Sequence, residues 1–433
     1  MADKRAYDPS ILDGHPVAEI PPLAAELHEK LRAARWPPGL AERVLALRRD
    51  RSELEAWLDG GFPTPEMVEQ WLPSQEILLN SSLVVRQATW EDGELLSGLC
   101  ADADERVGDW TVTVERGPNP FAQFRLQEHP NVMVLEDRRV ALGMAAHAVR
   151  NTHIGGRRTT AHHMSGWRVR NGFRGLGLSK VLQQAPGPGA GWFGLVTYWF
   201  VRSGNASIGW ISKVVSDMEQ RSGGLALDGD AVTASVSHFD RLDLGRRSTR
   251  VRPTTEADAV VCIDLINRTH KGLDLFRPYT QDFFDERMND LGWGPKPSFY
   301  PSVYGRPDHR VLEVDGDVVA CGGLWDRGRD IRETWVNGDE RFVVHPAALM
   351  DFGFAEGRAP EMVELLTHLL AEADELGRSG LLASLEYVPE VVGLVDHLQP
   401  TVETRELHVM PFSSPELTVQ GTIGRPYVDL AYW

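Results

Sequence analysis

A glycine-rich stretch in the middle of the chain reads Ser165-Gly166-Trp167-Arg168-Val169-Arg170-Asn171-Gly172-Phe173-Arg174-Gly175-Leu176-Gly177-Leu178-Ser179-Lys180-Val181-Leu182. Its pattern predicts a strand that ends at Val169, a glycine-rich turn, and a helix that begins near Leu178. Glycine lets the backbone turn sharply and approach a ligand, and the first amides of a helix attract anions because they have no internal partner. The stretch therefore predicts a pyrophosphate-binding turn, with a spacing unlike a Walker loop or G-x-G-x-x-G.

The region around this turn is cationic, although the protein as a whole carries a net charge of −17. From Arg138 to Ser216 the sequence contains no Asp or Glu, where the average of 62 acids in 433 residues predicts about eleven. A local excess of positive charge indicates an anionic ligand, and the negative charge of the whole chain argues against nucleic-acid binding. The sequence also lacks an apolar run long enough for a transmembrane helix.

Two parts of the sequence resemble each other. Val85–Asp92 and Val251–Asp258 both read V-R-x-x-T-x-x-D, the pattern of a short strand followed by a capped helix. Each is followed by a segment typical of a β-hairpin, Val132–Ala148 and Val311–Trp325. The repeated order predicts an internal duplication. We predict a helical N-terminal extension over 1–81, a first α/β domain over 82–246 and a second over 247–433.

The motif Arg174-Gly175-Leu176-Gly177-Leu178-Ser179 resembles the Q/R-x-x-G-x-G/A signature of the GNAT superfamily of N-acyltransferases, with Ser179 at the position of the last small residue. The resemblance covers roughly 83–244. It implies an α/β (α+β) fold of two tandem GNAT-like domains, each a mixed twisted sheet flanked by helices. It also implies acetyl-CoA, or another acyl-CoA, as co-substrate.

The resemblance implies a role for each matching residue. The backbone amides of Arg174, Gly175, Leu176, Gly177, Leu178 and Ser179 would hold the pyrophosphate. Backbone groups of Trp167 and Val169 would position the thioester, with the Val169 amide as the oxyanion donor. Asn205 would contact the pantetheine arm.

The sequence departs from the family where protons are handled. Ser212 stands where many members have the Tyr that protonates the leaving thiolate, and the middle strands carry no carboxylate. A base from this region would be a histidine, because imidazole titrates near neutrality; the candidates are His147, His153, His162 and His163. Strand alternation predicts His163 on the face of Ser165 and Trp167, and His162 on the other. An acid from elsewhere, such as Glu115, is the alternative.

The second domain has a weaker anion site. Phe354 stands where Gln or Arg is expected, Glu356 would repel a phosphate, and Pro360 has no amide to donate. We therefore expect a non-catalytic second domain that completes the substrate cleft, and one acyl-CoA per chain. The terminal segment Tyr427–Trp433 is predicted to be a strand.

These observations favour an acetyl-CoA-dependent N-acyltransferase that acts on a small-molecule amine by direct transfer. The three cysteines, Cys100, Cys262 and Cys321, lie among apolar neighbours, which is typical of buried thiols in a reducing cytoplasm. We expect no metal, no nucleic acid and no membrane as partner, and leave a homodimer open. One alternative is a non-catalytic acyl-CoA-binding or regulatory protein, since the Tyr and the carboxylate are missing. Another is a transferase that uses aminoacyl-tRNA, which the negative charge and the turn disfavour.

Overall fold

The structure is a computed structural model that describes residues 83–137, 140–174, 178–184, 196–202, 233–289, 302–411 and 426–433. The predicted helical extension over 1–81 lies outside these residues. We call 83–239 the N-terminal half and the described residues from 251 onward the C-terminal half.

Strands dominate both halves. The strands of the N-terminal half are β1 (Leu83–Gln87), β2 (Glu105–Val107), β3 (Trp110–Arg116), β4 (Pro130–Asp137), β5 (Val140–Ile154), β6 (Arg157–Val169), β7 (Val196–Arg202) and β8 (Thr233–Phe239). Those of the C-terminal half are β9 (Val251–Pro253), β10 (His309–Val314), β11 (Asp317–Trp325), β12 (Ile331–Asn337), β13 (Glu340–Val344), β14 (Ala347–Phe354), β15 (Leu381–Ala383) and β16 (Thr401–Pro411).

The α-helices of the described residues range from four to 17 residues in length, and most of them pack on the sheets. They are α1 (Gly93–Ala101), α2 (Ala122–Arg125), α3 (Leu178–Gln184), α4 (Ala259–Thr269), α5 (Gln281–Met288), α6 (Arg327–Asp330), α7 (Ala359–Glu375) and α8 (Pro389–Val395). Among the helices of the described residues, none has the length and apolarity needed to cross a bilayer.

Twelve strands form one continuous mixed sheet in the order β1-β4-β5-β6-β7-β16-β8-β15-β14-β11-β10-β9. Reading inward from either edge, each half contributes five strands in the same sequence: β1, β4, β5, β6, β7 from one side and β9, β10, β11, β14, β15 from the other. The sixth strands are exchanged, because β16 pairs with β7 and β8 pairs with β15. The sheet therefore has an approximate two-fold symmetry about the antiparallel β8–β16 pair.

The V-R-x-x-T-x-x-D repeat forms the same local structure twice. The amides of Thr89 and Thr255 each donate to the carboxylate three residues later, at 2.7 Å in both places, and the Arg of each repeat binds that carboxylate with two nitrogens, as in Arg252 with Asp258. The predicted hairpins are confirmed as β4–β5 and β10–β11. The sequence thus predicted the duplication at the level of local structure.

A second, smaller sheet joins the halves in the order β13-β12-β3-β2. Strand β3 of the N-terminal half pairs antiparallel with β12 of the C-terminal half, from Thr111–Val336 to Arg116–Ile331. The predicted α/β fold of a mixed twisted sheet flanked by helices is confirmed. The boundary at 246/247 stays a prediction about the chain's organisation, and every described residue belongs to one compact unit.

The predicted terminal strand over Tyr427–Trp433 is wrong. Only Pro426 makes a β-bridge, to Asp274, and Leu430–Tyr432 is a turn of 3₁₀-helix. Side chains replace the ladder as backbone partners: Gln127 Nε2 donates to the Ala431 carbonyl at 2.8 Å, and Gln123 Nε2 to the Trp433 carbonyl at 2.6 Å. The apolar pattern of the segment reflects burial against these groups rather than pairing in a sheet.

Candidate functional site

A wedge-shaped opening separates β6 from β7. The two strands pair in parallel only at Ala161–Val196, His162–Thr197 and His163–Tyr198. Beyond His163, β6 continues to Val169 and β7 to Arg202 without pairing to each other, although both are described throughout. Parallel neighbours that separate in this way leave backbone groups on the inner edges available to a ligand.

A β-bulge at Gly166 lies on the β6 side of this wedge. Ala146 pairs with Ser165 and Met144 with Arg168, so two residues of β6 oppose Ala145 alone. Gly166 has φ +59°, and a Cβ there would meet Phe124 Cζ at 2.9 Å. Both the backbone conformation and the close contact require glycine at this position.

The two faces of the sheet at the wedge differ. On the face that we call the α1 face, Met144 and Ala146 of β5 pack with Leu96 and Leu99 of α1. On the opposite α3 face, a Cβ at Gly143 would meet Leu182 Cδ1 of α3 at 2.8 Å. A ligand that passes through the wedge would thus have α3 on one side and α1 on the other.

The bulge corrects the predicted placement of Trp167. Ser165 and His163 pair with Ala146 and Ala148, which places both on the α1 face. Because Gly166 adds one residue, the alternation shifts and Trp167 falls on the α3 face with His162. The expectation from the sequence, which assumed a regular strand, placed Trp167 on the same face as His163.

The histidines are buried. His147 and His162 stack on the α3 face, with Nδ1 of His147 3.1 Å from Nε2 of His162, and His162 Nδ1 is 3.1 Å from Thr197 Oγ1. Burial lowers the pKa of His162 to about 4 and that of His147 well below its ordinary value. Both are therefore neutral near pH 7.

His163 lies on the other face, at the apex of the wedge. It is fully buried, and its ring centre is 4.9 Å from that of Tyr198 and 6.3 Å from that of Phe200. His153 lies near the far end of β5, where its Nδ1 is 3.3 Å from the Phe276 carbonyl oxygen. Of the four candidates, His163 is the one that the fold places at the apex on the α1 face.

The glycine-rich turn is described at its two ends. Strand β6 ends at Val169 and α3 begins at Leu178, both as predicted. Arg174 forms an ion pair with Asp104 at 3.0 Å, and its Nε donates to the Val169 carbonyl at 3.3 Å. Leu178 is buried and Ser179 half-buried. Gly175, Leu176, Gly177, Asn205 and Ser212 lie outside the described residues.

The amide of Val169 points into the wedge. The next amide, of Arg170, donates to Leu142 on the β5 side at 2.9 Å. Successive amides of a strand point to opposite edges, so Val169 N–H is directed to the edge that faces β7. The Val169 carbonyl is directed to the same edge, and Arg174 Nε donates to it there.

The C-terminal half contains the corresponding wedge, and it is filled. Strands β14 and β15 pair in parallel only at Ala347–Leu381 and Ala348–Leu382, and β14 has a bulge at Asp351, where φ is +49°. Arg287 of α5 donates to the Asp351 carboxylate at 2.8 Å and to Asp429 at 2.9 Å, and Tyr279 donates to the same carboxylate. These side chains are buried, so this opening holds protein in place of a ligand.

Carboxylates that the sequence did not single out lie on the α1 face. Glu128 contacts Arg277 and lies 3.7 Å from Arg150, whose NH1 is 3.5 Å from the Tyr198 hydroxyl. Burial raises the pKa of Glu128 even though both arginines lower it. Glu115, the acid that the sequence suggested, is exposed on β3. No motif marks Glu128, because only the tertiary structure brings it to this face.

The cysteines are free and buried, as predicted. Cys262 and Cys321 are neighbours in space despite their separation in sequence, since Cys321 Sγ is 3.9 Å from the Cys262 carbonyl. Burial raises the pKa of the Cys321 thiol well above its ordinary value. Within the described ranges, no three His, Cys, Asp or Glu side chains are placed to hold a metal ion.

No protein-family model matches this sequence, and no curated protein matches it. Among solved structures, the fold is similar to Saccharomyces cerevisiae N-myristoyltransferase with bound myristoyl-CoA, at a TM-score of 0.54 and 10% identity over 77% of this chain and 84% of that one. A structure of the same enzyme with myristoyl-CoA and inhibitors gives a TM-score of 0.54 and 10% identity over 82% and 84%. A GCN5-related glucosamine N-acetyltransferase region of a fungal multi-domain protein gives 0.43 and 12% identity over 76% and 37%.

Proposed function

We propose that this chain, whose fold is similar to that of N-myristoyltransferase, is an acyl-CoA-dependent N-acyltransferase whose N-terminal half binds the acyl-CoA. The observation that carries the proposal is the wedge between β6 and β7, with the bulge at Gly166 on its edge and α3 beginning nine residues after Val169. The amides from Arg174 to Ser179 would hold the pyrophosphate on the α3 face, as at other helix N-termini. Asn205 would contact the pantetheine arm.

The acyl group would pass through the wedge with its thioester beside Val169. The Val169 amide, directed to the open edge, is suited to donate to the thioester oxygen as negative charge develops there. The amine would attack from the α1 face, since α3 and the cofactor occupy the other. Direct attack needs no enzyme nucleophile, and the buried thiols, with the raised pKa of Cys321, support that route.

The proton of the attacking amine would leave on the α1 face. His163 lies at the apex there, and Glu128, with its raised pKa, is the buried carboxylate on the same side. The leaving thiolate needs little help, because a thiol with a pKa of about 8.5 gives a good leaving group. His147 and His162, which we predicted as catalytic from the sequence, are better suited to fixing the shape of β5 and β6 on the opposite face.

We propose acetyl-CoA as the acyl donor and a small-molecule amine as the acceptor. A short acyl group is supported by the packing at the apex, where Tyr198 and His163 are at most 1% exposed and Phe200 packs against them. The myristoyl-CoA in the similar yeast structures makes a long-chain donor the necessary comparison. The proposed compartment is the cytoplasm, in agreement with three free cysteines.

A matched pair of glycine variants tests the proposal. Gly166→Ala places a Cβ against Phe124 at the bulge, whereas Gly156→Ala places one in open space at a similarly positive φ of +74°. Both should lose about 1 kcal/mol from backbone strain, and Gly166→Ala should lose more because its Cβ meets Phe124. Only Gly166→Ala should weaken acetyl-CoA binding, by at least about tenfold in the dissociation constant, or 1.4 kcal/mol. Equal affinities in calorimetry would contradict the assignment.

Turnover separates an enzyme from the non-catalytic acyl-CoA-binding alternative. The wild-type protein should release CoA from acetyl-CoA in the presence of a panel of primary amines, and more slowly from myristoyl-CoA. Tight binding of acetyl-CoA without turnover on any amine would favour the binding protein. Gly177→Asp, which puts a negative charge into the predicted pyrophosphate turn, should abolish both binding and turnover.

A further inference from the structure

Five arginines crowd together on the α1 face beside the open end of the wedge. Arg168 extends from β6 and Arg202 from the end of β7, and Arg405 of β16 lies opposite Arg202 in the sheet. Arg327 and Arg116 complete the group, at α6 and the end of β3. Arg168 and Arg202 lie near the ends of β6 and β7, beyond the last paired residues of the two strands. The cluster is therefore at the open end of the wedge.

Three carboxylates are interleaved with these arginines. Arg168 binds Glu105 at 2.6 Å, and Arg202 binds Glu333 at 2.9 Å and Glu403 at 3.2 Å. Arg327 shares Glu333 at 3.1 Å, and Arg405 shares Glu403 at 3.0 Å. Arg116 has no carboxylate within ion-pairing distance among the described residues. The cluster therefore holds five cations, of which Arg116, Arg202 and Arg327 are buried, and three anions.

Arg116 is fixed beside the bulge. Its NH2 donates to Gln123 Oε1 at 2.8 Å, and its guanidinium lies 4.8 Å from the ring centre of Phe124, the residue that touches Gly166. The residue is 8% exposed, and burial lowers its pKa to about 10. Nearby Arg168 and Arg327 contribute to this lowered pKa, while Cys100 and Glu333 oppose it. A buried guanidinium in such surroundings is stabilised by any anion that reaches it.

Buried polar atoms without a hydrogen-bond partner also indicate an anionic ligand at the cluster. Three buried N–H groups in and beside the cluster lack a hydrogen-bond acceptor among the described residues: Arg116 NH1, Arg168 Nε and Trp433 Nε1. All three are donors. Native proteins seldom leave buried donors without acceptors, so a group of this kind indicates a bound partner rich in oxygen lone pairs.

We propose that this arginine cluster recognises a carboxylate of the acceptor, so that the enzyme acylates an amine that also carries a carboxylate. The proposal rests on the proposed function. The cluster lies on the α1 face, opposite α3, so it is separate from the pyrophosphate site. Its guanidiniums already bind carboxylates through single contacts, and a guanidinium suits an incoming carboxylate because its parallel N–H groups can match the two oxygens. The loosest of these contacts, Arg202 to Glu105 at 3.9 Å, is the one that an incoming carboxylate would replace.

Matched acceptors test the proposal directly. With acetyl-CoA, kcat/KM should be at least about tenfold higher for glycine and β-alanine than for glycinamide and β-alaninamide, the size expected for a charged forked contact. Arg116→Gln should remove most of this preference by raising KM for the carboxylates, with the acetyl-CoA dissociation constant unchanged. Arg332→Gln, at an exposed arginine of the same small sheet, is the control and should behave as wild type.

A second measurement needs neither turnover nor an identified acceptor. At constant ionic strength, replacing chloride with acetate or succinate should raise the melting temperature of the wild type and of Arg332→Gln, and should raise that of Arg116→Gln less. Carboxamides that react as well as carboxylates would overturn the proposal, and so would an equal response of all three proteins to succinate. A preference for phosphoethanolamine over β-alanine would overturn it in favour of a phosphate. Failure to bind acetyl-CoA would instead contradict the proposed function, while the melting experiment still tests the cluster.

Discussion

Gly166 and Asp351 occupy equivalent positions in the two halves and have opposite consequences. Both have a positive φ at a bulge, +59° and +49°. Glycine adopts this conformation without strain, and its lack of a side chain leaves the N-terminal wedge open. Aspartate tolerates it less well, and its carboxylate is held by Arg287 and Tyr279 inside the C-terminal wedge. One residue thus distinguishes a candidate ligand site from a filled one.

Burial of His162 leads to a prediction about pH. Its pKa is about 4 in the folded protein, against an ordinary value near 6.5, so the unfolded chain binds the proton more readily. The contribution of His162 to the free energy of unfolding should therefore be complete above about pH 6.5 and should decrease as the pH falls toward 4. Between these pH values the free energy of unfolding of His162→Gln should fall by up to about 3 kcal/mol less than that of the wild type, since one pKa unit corresponds to about 1.4 kcal/mol.

Urea unfolding at several pH values measures this effect. His397→Gln, at an exposed histidine, is the control and should keep the wild-type slope. His147 and His270 are also buried with lowered pKa values, so a residual slope is expected in the variant. If the free energy of unfolding of His162→Gln depended on pH as that of the wild type does, the interpretation of His147 and His162 as a neutral stacked pair would be contradicted.

At the scale of elements, the same strand arrangement serves two purposes. The pairs β6–β7 and β14–β15 are both parallel, pair briefly and then separate, with a bulge on the first strand of each pair. In the C-terminal half α5 delivers Arg287 into the opening, and its NH1 also donates to the Leu126 carbonyl of the N-terminal half at 2.9 Å. The filled wedge therefore connects the halves.

Removal of Arg287 should be costly without creating a second site. Arg287→Leu leaves Asp351 and Asp429 buried without their cation, which should lower the free energy of unfolding by about 3–5 kcal/mol. Arg268→Leu removes an exposed arginine paired with Asp264 on α4 and should cost at most about 0.5 kcal/mol. Titration with acetyl-CoA should give one site per chain in the wild type and in both variants. Two equivalent sites would contradict our interpretation of the C-terminal half.

At the scale of the whole molecule, the exchanged strands make the halves interdependent. Strand β8 leaves the N-terminal half to pair with β15, and β16 leaves the C-terminal half to pair with β7. The small sheet adds the β3–β12 pairing. The antiparallel β8–β16 pair also joins the halves. Separating them would break four backbone ladders and expose the strands on both sides of each break, so a folded molecule should not come apart at its connecting segment.

Cleavage of the folded protein tests this expectation. A protease site inserted between Arg246 and Arg247 lies where the chain passes from one half to the other. After cleavage the two fragments should elute together in gel filtration and separate only in denaturant, and acetyl-CoA affinity should be within about threefold of the uncut protein because no wedge residue changes. Fragments that separate under native conditions would contradict the strand exchange as the main connection.

Local sequence patterns were sufficient to predict the capping boxes, the hairpins, the end of β6 at Val169 and the start of α3 at Leu178. These follow from hydrogen bonds and periodicities among residues close in the chain. The tertiary structure alone decided the rest. The bulge at Gly166 moved Trp167 to the other face, burial made His147 and His162 neutral, and the terminal segment formed side-chain contacts instead of a strand. The arginine cluster and Glu128 are assembled from elements far apart in sequence, and no local pattern encodes the burial and the charge neighbours that set their chemistry.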